Sequence, residues 1–539
     1  MVVGHCDRCD TVVEPRLSVQ WFVRARPLAE RALASVREGR TRILPAHFEK
    51  VYAHWMENIH DWAVGRQLWW GHRIPAWYCP DGHVTVTDAA EGPDACADCG
   101  RPASELTQES DIFDTWFSSG LWPFSTLGWP DDTPDMARFY PTSVLETGYD
   151  ILFFWVARMM MLGLFCTGVE PFHTVYLHGM IRAEGGGKMS KTKGNTIDPL
   201  SLMDEIGADA LRFALVAGSA PGSDQRLTSA KLEGGRNFTN KLWNAARFVL
   251  GARPEVTAGR AGNALPARWF RSRLADGAER ATRQLDALDL GGYAATVYDL
   301  AWSDYCDWFL EMTKVDLRRT DATDAERAAA WQAAAEGLTE LLRLLHPLMP
   351  FVTEEIWAAL RDADRTLTGS EELLVRARWP AVGARNANAE ELVAGLQEVV
   401  RDHRDQRPKL GIAARERVDA TILPAADAGA DIAEAAPYIT ALARETRLHV
   451  TTGDLGAEPP AHASTTRLGV TWVHAAEVTH EAVERRRQRT EEARRQVDRL
   501  RALLASDFAT RAPAHVVDRE RQRLADLEAQ LGASGPSEE

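Results

Sequence analysis

The sequence predicts a mixed α/β fold joined to an all-α region, and three observations carry that prediction. Residues 174–212 read in succession as a strand, a glycine-rich basic loop and a helix. From about Asn237 the apolar residues fall at helical spacing. From Glu477 to Leu531 the chain becomes charged, with sparse apolar positions.

The chain has 539 residues, room for roughly three or four domains. Hydrophobic residues make up 45% and charged residues 26%, an ordinary globular composition. The net charge of −15 argues weakly against a nucleic-acid partner. Local cationic tracks decide phosphate binding, however, and basic residues gather in the loop at 188–193 and toward the C-terminus. The N-terminus has no basic segment followed by an apolar run, so no secretory signal is expected. No stretch reads as apolar enough to span a membrane, since Arg158 interrupts Leu152–Leu164. A cytoplasmic protein with no membrane partner is expected.

Ten of the 18 tryptophans lie in the first 155 residues, clustered at Trp55–Trp62, Arg66–Trp77 and Asp114–Trp122. Rings beside Gly, His, Arg and Ser serve as pocket walls as well as core, because the indole N–H needs a partner. Thr174–Ile181 reads as a buried strand ending in a polar turn at His178-Gly179. Gly185-Gly186-Gly187 and Lys188-Met189-Ser190-Lys191-Thr192 follow. Two lysines three apart on a glycine-rich turn suit nucleotide phosphates. A helix at Ile206–Arg212 completes a strand–loop–helix nucleotide-site arrangement.

The helical region contains Asn240–Leu250, a stripe of Tyr298, Trp302, Tyr305 and Phe309, and an Ala- and Leu-rich run at 324–343. Pro347 and Pro350 punctuate the chain before a helix start at Thr353-Glu354-Glu355. These stripes are core faces of a bundle. Residues 381–471 read as a small α+β unit with strands at Arg417–Leu423 and Leu468–Val473. Beyond it, two long helices about Asp507–Pro513 predict an antiparallel coiled-coil hairpin. Its first arm carries Arg485, Arg486, Arg489 and Arg494, too closely spaced for the nearby acids to pair, which suits an RNA contact over a merely solvated face.

Seven cysteines include two Cys-x-x-Cys pairs, Cys6/Cys9 and Cys96/Cys99, a spacing for metal or redox chemistry. Cys166 and Cys306 sit in apolar or aromatic text and read as inert core thiols.

The motifs, in order, resemble a known family. The Lys188–Thr192 loop resembles the KMSKS loop of class I aminoacyl-tRNA synthetases, with Thr192 replacing the last Ser. Together with Arg66–Cys79, Asp114–Trp129, Thr147–Met159 and the terminal hairpin, it makes the chain similar to the C-terminal portion of a bacterial valyl-tRNA synthetase. An isoleucyl-type enzyme, or a non-catalytic tRNA-binding module derived from a synthetase, are the alternatives. The resemblance implies residues 1–20 as the tail of an editing insertion and 21–236 as the second half of a Rossmann-like catalytic domain. It further implies an anticodon-binding bundle at 237–380, a connecting α+β region at 381–471 and a tRNA-binding arm at 472–533.

It also implies roles. Valine, ATP with Mg²⁺ and tRNA are the partners. Lys188 and Lys191 meet ATP phosphates, with Met189 and Ser190 between them. Gly148 and Asp150 hold the adenylate ribose, His178 and Gly179 border adenine, and Trp70 and Trp116 wall the valine pocket. Cys79, His83, Cys96 and Cys99 offer one Zn²⁺ site, although Gly82 occupies the expected second Cys position. Cys6 and Cys9 form an orphan half-site whose family counterpart is completed by an upstream pair. The His-x-Gly-His motif of the family's first half occurs nowhere in these residues. A separate N-terminal half of the same enzyme is therefore the expected partner.

Overall fold

The computed structural model describes residues 3–506, 517 and 520–524, apart from 7–8, 15–16, 184–185, 187–197, 256–261, 382, 414, 426–427, 452–458 and 475–479. The chain divides into two compact units. One comprises residues 1–237 with 282–295, the other 238–281 with 296–539.

The first unit is built on a three-stranded parallel sheet. Phe172–His178 runs between Arg42–Leu44 and Thr142–Gly148. Five of the central strand's seven residues are buried, as a parallel strand covered on both faces requires. Ile43, Val175 and Leu177 share a core with Ala32 and Leu33 of the helix Ala25–Arg37, with Tyr52 of the helix His47–Glu57 and with Leu152, Val156 and Met160.

The last three belong to one continuous helical run. It starts as a 3₁₀ turn at Tyr149–Ile151, widens to a π-helix at Leu152–Val156 and closes as the α-helix Ala157–Cys166. By length and composition this run is apolar enough to cross a membrane, contrary to the expectation from Leu152–Leu164 alone. Its apolar content has a local cause, since Leu152, Val156, Met159 and Met160 are fully buried in the core behind the sheet.

The helix expected at Ile206–Arg212 is two helices, Pro199–Ile206 and Ala208–Val216, broken at Gly207. Gly207 has φ 90°, a conformation open to glycine at little cost. Asp198 starts the first helix by accepting from Leu200 N at 3.1 Å.

The second unit is helical in its first part. Tyr305 and Phe309 are buried, and Tyr298 stacks on Trp302 at 5.5 Å, so the aromatic stripe is a packing face. The Ala- and Leu-rich run is the helix Asp324–Leu345, opened by a reciprocal Thr323–Glu326 capping box. The next helix begins at Pro350 rather than Thr353. Proline suits the first helical position because its missing N–H would lack an intrahelical partner there. Trp331 and Trp357 are fully buried, and the Trp331 indole donates to Val249 O at 2.8 Å.

The α+β region follows. Its mixed sheet runs Glu445–Val450, Val418–Pro424, Gly469–Val473, Ser464–Thr466. The helices Ala387–Lys409 and Gly429–Leu442 pack on it. A long helix, His480–Ala505, follows in sequence. The return arm of the expected hairpin lies almost wholly outside the described residues.

Candidate nucleotide site and metal centre

Two parallel strands deliver the expected nucleotide residues to one place. Gly148 and His178 are register partners at the carboxyl ends of adjacent strands. In open α/β sheets this end is where ligands bind. A Cβ at Gly148 would lie 2.7 Å from Asp150 Oδ1 and 3.6 Å from His178 Cε1, so glycine is what lets these groups approach. The His178 ring is held at both nitrogens. Nδ1 lies 2.8 Å from Gly179 O and Nε2 lies 3.2 Å from Glu146 Oε1. Gly179 is sterically fixed, because a Cβ there would fall 1.8 Å from Ser223 O.

Asp224, which sequence reading missed, ties this corner together. Its carboxylate accepts from Met180 N at 2.7 Å, from the Tyr149 hydroxyl at 3.0 Å and from the Arg182 guanidinium. These bonds, the Met180 N–H above all, hold its carboxyl below the usual range. Tyr149 follows Gly148, and Met180 follows Gly179, so one carboxylate clamps the exits of both strands. No local motif announces Asp224. Its signal is the close-packed glycine turn before it, where Gly222 N donates to Leu177 O at 2.8 Å.

The two tryptophans expected to wall a pocket are placed differently. Trp116 is partly buried and packs near Phe154 at 6.4 Å, four residues beyond Asp150. Asp114 organises its surroundings. This buried carboxylate accepts from the Trp62 indole at 3.0 Å and pairs with Arg66 at 3.0 Å and Arg158 at 3.4 Å. It also caps the helix Thr115–Ser125 that carries Trp116. The Arg158 guanidinium lies over the Trp62 ring at 4.0 Å. Trp70, by contrast, is 81% exposed beside Trp69 at 96%, so no described part of this chain closes over it.

Cys79, His83, Cys96 and Cys99 converge on a small antiparallel sheet, Thr107–Gln108, Ala76–Tyr78 and Val84–Val86. Their ligand atoms all lie within 4.8 Å of one another. Cys79 Sγ is 3.8 Å from Cys99 Sγ and 3.4 Å from His83 Nδ1. A tetrahedral site with metal–sulfur bonds of about 2.3 Å has sulfur–sulfur edges of about 3.8 Å. The donor set fits a four-coordinate cation with no open position. His83 takes the fourth place because the turn Cys79–His83 is closed by Gly82 N donating to Cys79 O at 2.9 Å. Backbone N–H groups of Cys99 and Asp98 lower the Cys96 thiol to about 6, favouring the thiolate that a metal needs.

Cys6 and Cys9 share the local geometry of Cys96 and Cys99. Cys6 N donates to Thr11 O and Asp10 N to Cys6 O, just as Cys96 N donates to Arg101 O and Gly100 N to Cys96 O. Asp10 and Gly100 both have positive φ, at 55° and 74°. The first pair is thus a knuckle of the same kind, but it belongs to no four-ligand group among the described residues. Burial raises the Cys166 thiol and pushes Cys306 up to about 12, consistent with inert thiols.

Lys188, Met189, Ser190 and Lys191 lie outside the described residues, as do the side chains of Arg485, Arg486 and Arg489. Arg494 is exposed on the long helix.

Comparison with known proteins agrees with this arrangement. The family described as tRNA synthetases class I (I, L, M and V) matches residues 8–228. The anticodon-binding domain of tRNA ligase matches residues 267–422. The valine–tRNA ligases of Dehalococcoides mccartyi and Geobacter sulfurreducens are each 44% identical over 97% of this chain. The methionyl-tRNA synthetase of Mycobacterium tuberculosis, solved with methionyl-adenylate, shares the fold at a TM-score of 0.52. It is 19% identical, over 66% of this chain and 65% of its own. The chain spans about 59% of the length of the two valine–tRNA ligases. The chain thus carries a class I tRNA synthetase region at residues 8–228 and an anticodon-binding domain at 267–422, and along almost all of its residues it is similar to part of the valine–tRNA ligases.

Proposed function

We propose that this chain supplies one part of a valine–tRNA ligase. Valine and ATP, with Mg²⁺, give valyl-adenylate and pyrophosphate, and the acyl group then moves to the terminal ribose of tRNA with release of AMP. The observation that carries this reading is the meeting of Gly148 and His178 at the carboxyl ends of two parallel strands, in a chain whose relatives include valine–tRNA ligases at 44% identity. Neither step needs a covalent enzyme intermediate, so the protein's task is to position reactants and stabilise phosphate charge.

In this reading Lys188 and Lys191 neutralise ATP phosphates, and Met189 and Ser190 shape the loop between them. Asp150 holds the ribose beside Gly148, and His178 with Gly179 borders the base. Trp116 walls the valine pocket, and Trp70 joins it from the surface. Zn²⁺ on Cys79, His83, Cys96 and Cys99 would tie the small sheet together without touching substrate. The anticodon region and a coiled-coil arm bearing Arg485, Arg486, Arg489 and Arg494 hold tRNA.

A further chain segment completes the site. Thr142–Gly148 is an edge of its sheet among the described residues, and an open parallel edge calls for cover. Leu68, Trp69 and Trp70 form an exposed apolar run in the same unit. Both features support an N-terminal half of the same enzyme as the partner, one that would also bring ligands to Cys6 and Cys9. The deciding experiment is valine-dependent ATP–pyrophosphate exchange, on this chain alone and after mixing with a supplied N-terminal half. Exchange on mixing is expected. Exchange by the chain alone would overturn the need for a partner, and silence in both with tRNA still bound would favour a tRNA-binding module.

A further inference from the structure

We propose that a cleft in the helical part of the second unit is a binding site for a small amphipathic zwitterion, a free amino acid with a large apolar side chain. The cleft has a volume of about 540 Å³, inside the range of roughly 300–1,000 Å³ typical of small-molecule sites. It lies wholly within that unit, between the helices Leu265–Asp286 and Asp324–Leu345, with Pro380 and Asn386 at its border.

Helical spacing turns both walls toward the same space. Ala267, Arg271 and Leu274 recur at intervals of four and three along the first helix, and Ala333, Glu336 and Glu340 at three and four along the second. Between them Phe270 and Phe309 stack at 4.6 Å, each 1% exposed. These rings give the cleft an apolar floor, and the short side chains of Ala267 and Ala333 leave the space above it open.

Four charged side chains line the cleft, two of each sign: Arg268, Arg271, Glu336 and Glu340. Two of them are neutralised by neighbours. Arg268 pairs with Glu434 at 2.9 Å, and Glu340 pairs with Arg343 at 2.8 Å. The other two keep their charge. Arg271 donates to Gly262 O and to Asn263 Oδ1, both at 3.1 Å, and Glu336 accepts from the Gln332 amide at 3.1 Å. Among the described residues neither Arg271 nor Glu336 takes part in an ion pair, with each other or with a third group.

One cation and one anion therefore face the cleft from opposite walls, with an apolar floor between them. A ligand carrying a single charge would answer only one wall. The guanidinium fork matches a carboxylate, and the Glu336 carboxylate accepts from an ammonium. The α-carboxylate, α-ammonium and apolar side chain of an amino acid meet all three surfaces. None of these residues belongs to the nucleotide corner, so the site stands whether or not the ligase reading does.

The test is ligand-observed NMR on the full chain with three probes: L-phenylalanine, phenethylamine, which lacks the carboxylate, and hydrocinnamate, which lacks the ammonium. Phenylalanine should bind saturably, and each analogue about fivefold more weakly, the loss of one ion pair at a partly exposed site. Arg271→Gln should weaken phenylalanine about fivefold and leave phenethylamine unchanged. Glu336→Gln should weaken phenylalanine to the same degree and leave hydrocinnamate unchanged. Arg271 is exposed and Glu336 partly so, and glutamine keeps a hydrogen-bonding end at both, so melting should change little. A loosened bundle would weaken all three probes alike, and that pattern would overturn the site. So would phenylalanine binding that neither variant alters, or no saturable binding by the parent chain.

Discussion

Glu445 meets the Nδ1 of His403 where neither side chain has any exposure, and the Nε2 of the same ring faces the Thr471 hydroxyl. The pair joins the helix Ala387–Lys409 to two strands of the α+β sheet, from positions 42 and 68 residues apart in the chain. Removing one partner of such a pair leaves the other buried without compensation. Glu445→Ala should therefore cost about 3–5 kcal/mol. Glu445→Gln, which keeps shape and one acceptor, should cost about 1 kcal/mol. Hydrogen exchange of Gly469–Val473 is the direct check. Equal protection in the alanine variant and the parent would show that the pair does not hold the sheet.

The four-ligand cluster predicts a metal stoichiometry. Co²⁺ titration should reach one tightly held ion per chain, with the visible bands of a tetrahedral thiolate site. Cys99→Ser should abolish those bands, whereas Cys6→Ser should leave them in place. Chelation should loosen Ala76–Tyr78 and its neighbours, because below about 40 residues a segment cannot hold itself by its core alone. A chain that saturates without thiolate-to-cobalt absorption would refute the site.

Asp316 makes stability depend on pH. Burial raises its carboxyl to about 6, although the Tyr438 hydroxyl donates to it at 3.0 Å. A raised carboxyl pKa means that the folded chain binds more protons than the unfolded one between the two values. Stability from this group is therefore lost as pH climbs from about 4 toward 6, and stays lost above it. Asp316→Asn should stabilise the second unit by on the order of 1–3 kcal/mol at pH 8, and by about half as much at pH 5. Urea unfolding at the two pH values measures this. A gain that does not change with pH would show that the effect is steric rather than protonic.

Much of this was legible in the sequence wherever a signal is local. The central strand announces itself through a run of buried residues, the aromatic stripe through helical spacing, and the metal cluster through short Cys and His intervals. The helix read at Ile206–Arg212 is divided at Gly207, which ends one helix and opens the next. What was not legible depends on partners distant in sequence. Asp224 finds Tyr149 75 residues back, and Asp114 gathers Trp62 and Arg158 from 52 and 44 residues away. Trp70 reads as a pocket wall from its neighbours, yet its exposure depends on what else is present to cover it.

Gly179 gives the sharpest link between packing and the nucleotide corner. The Ser223 carbonyl occupies the space a methyl group would need, at 1.8 Å from an ideal Cβ. Backbone cannot retreat as a flexible side chain can, so Gly179→Ala must push the 223–224 segment away. That displaces Asp224 from Met180 N, Tyr149 and Arg182, and so frees the exits of both strands at once. Overpacking of this kind costs about 1–3 kcal/mol. Asp224→Asn removes charge without the clash and should cost less stability. Both variants should lower the valine-dependent exchange proposed for the chain mixed with an N-terminal half, because both loosen the clamp beside Gly148 and His178. If Gly179→Ala is destabilised while Asp224→Asn keeps full exchange, the clamp is structural only. If both lose exchange in proportion while the asparagine variant stays folded, the carboxylate is what holds the corner in shape for the nucleotide.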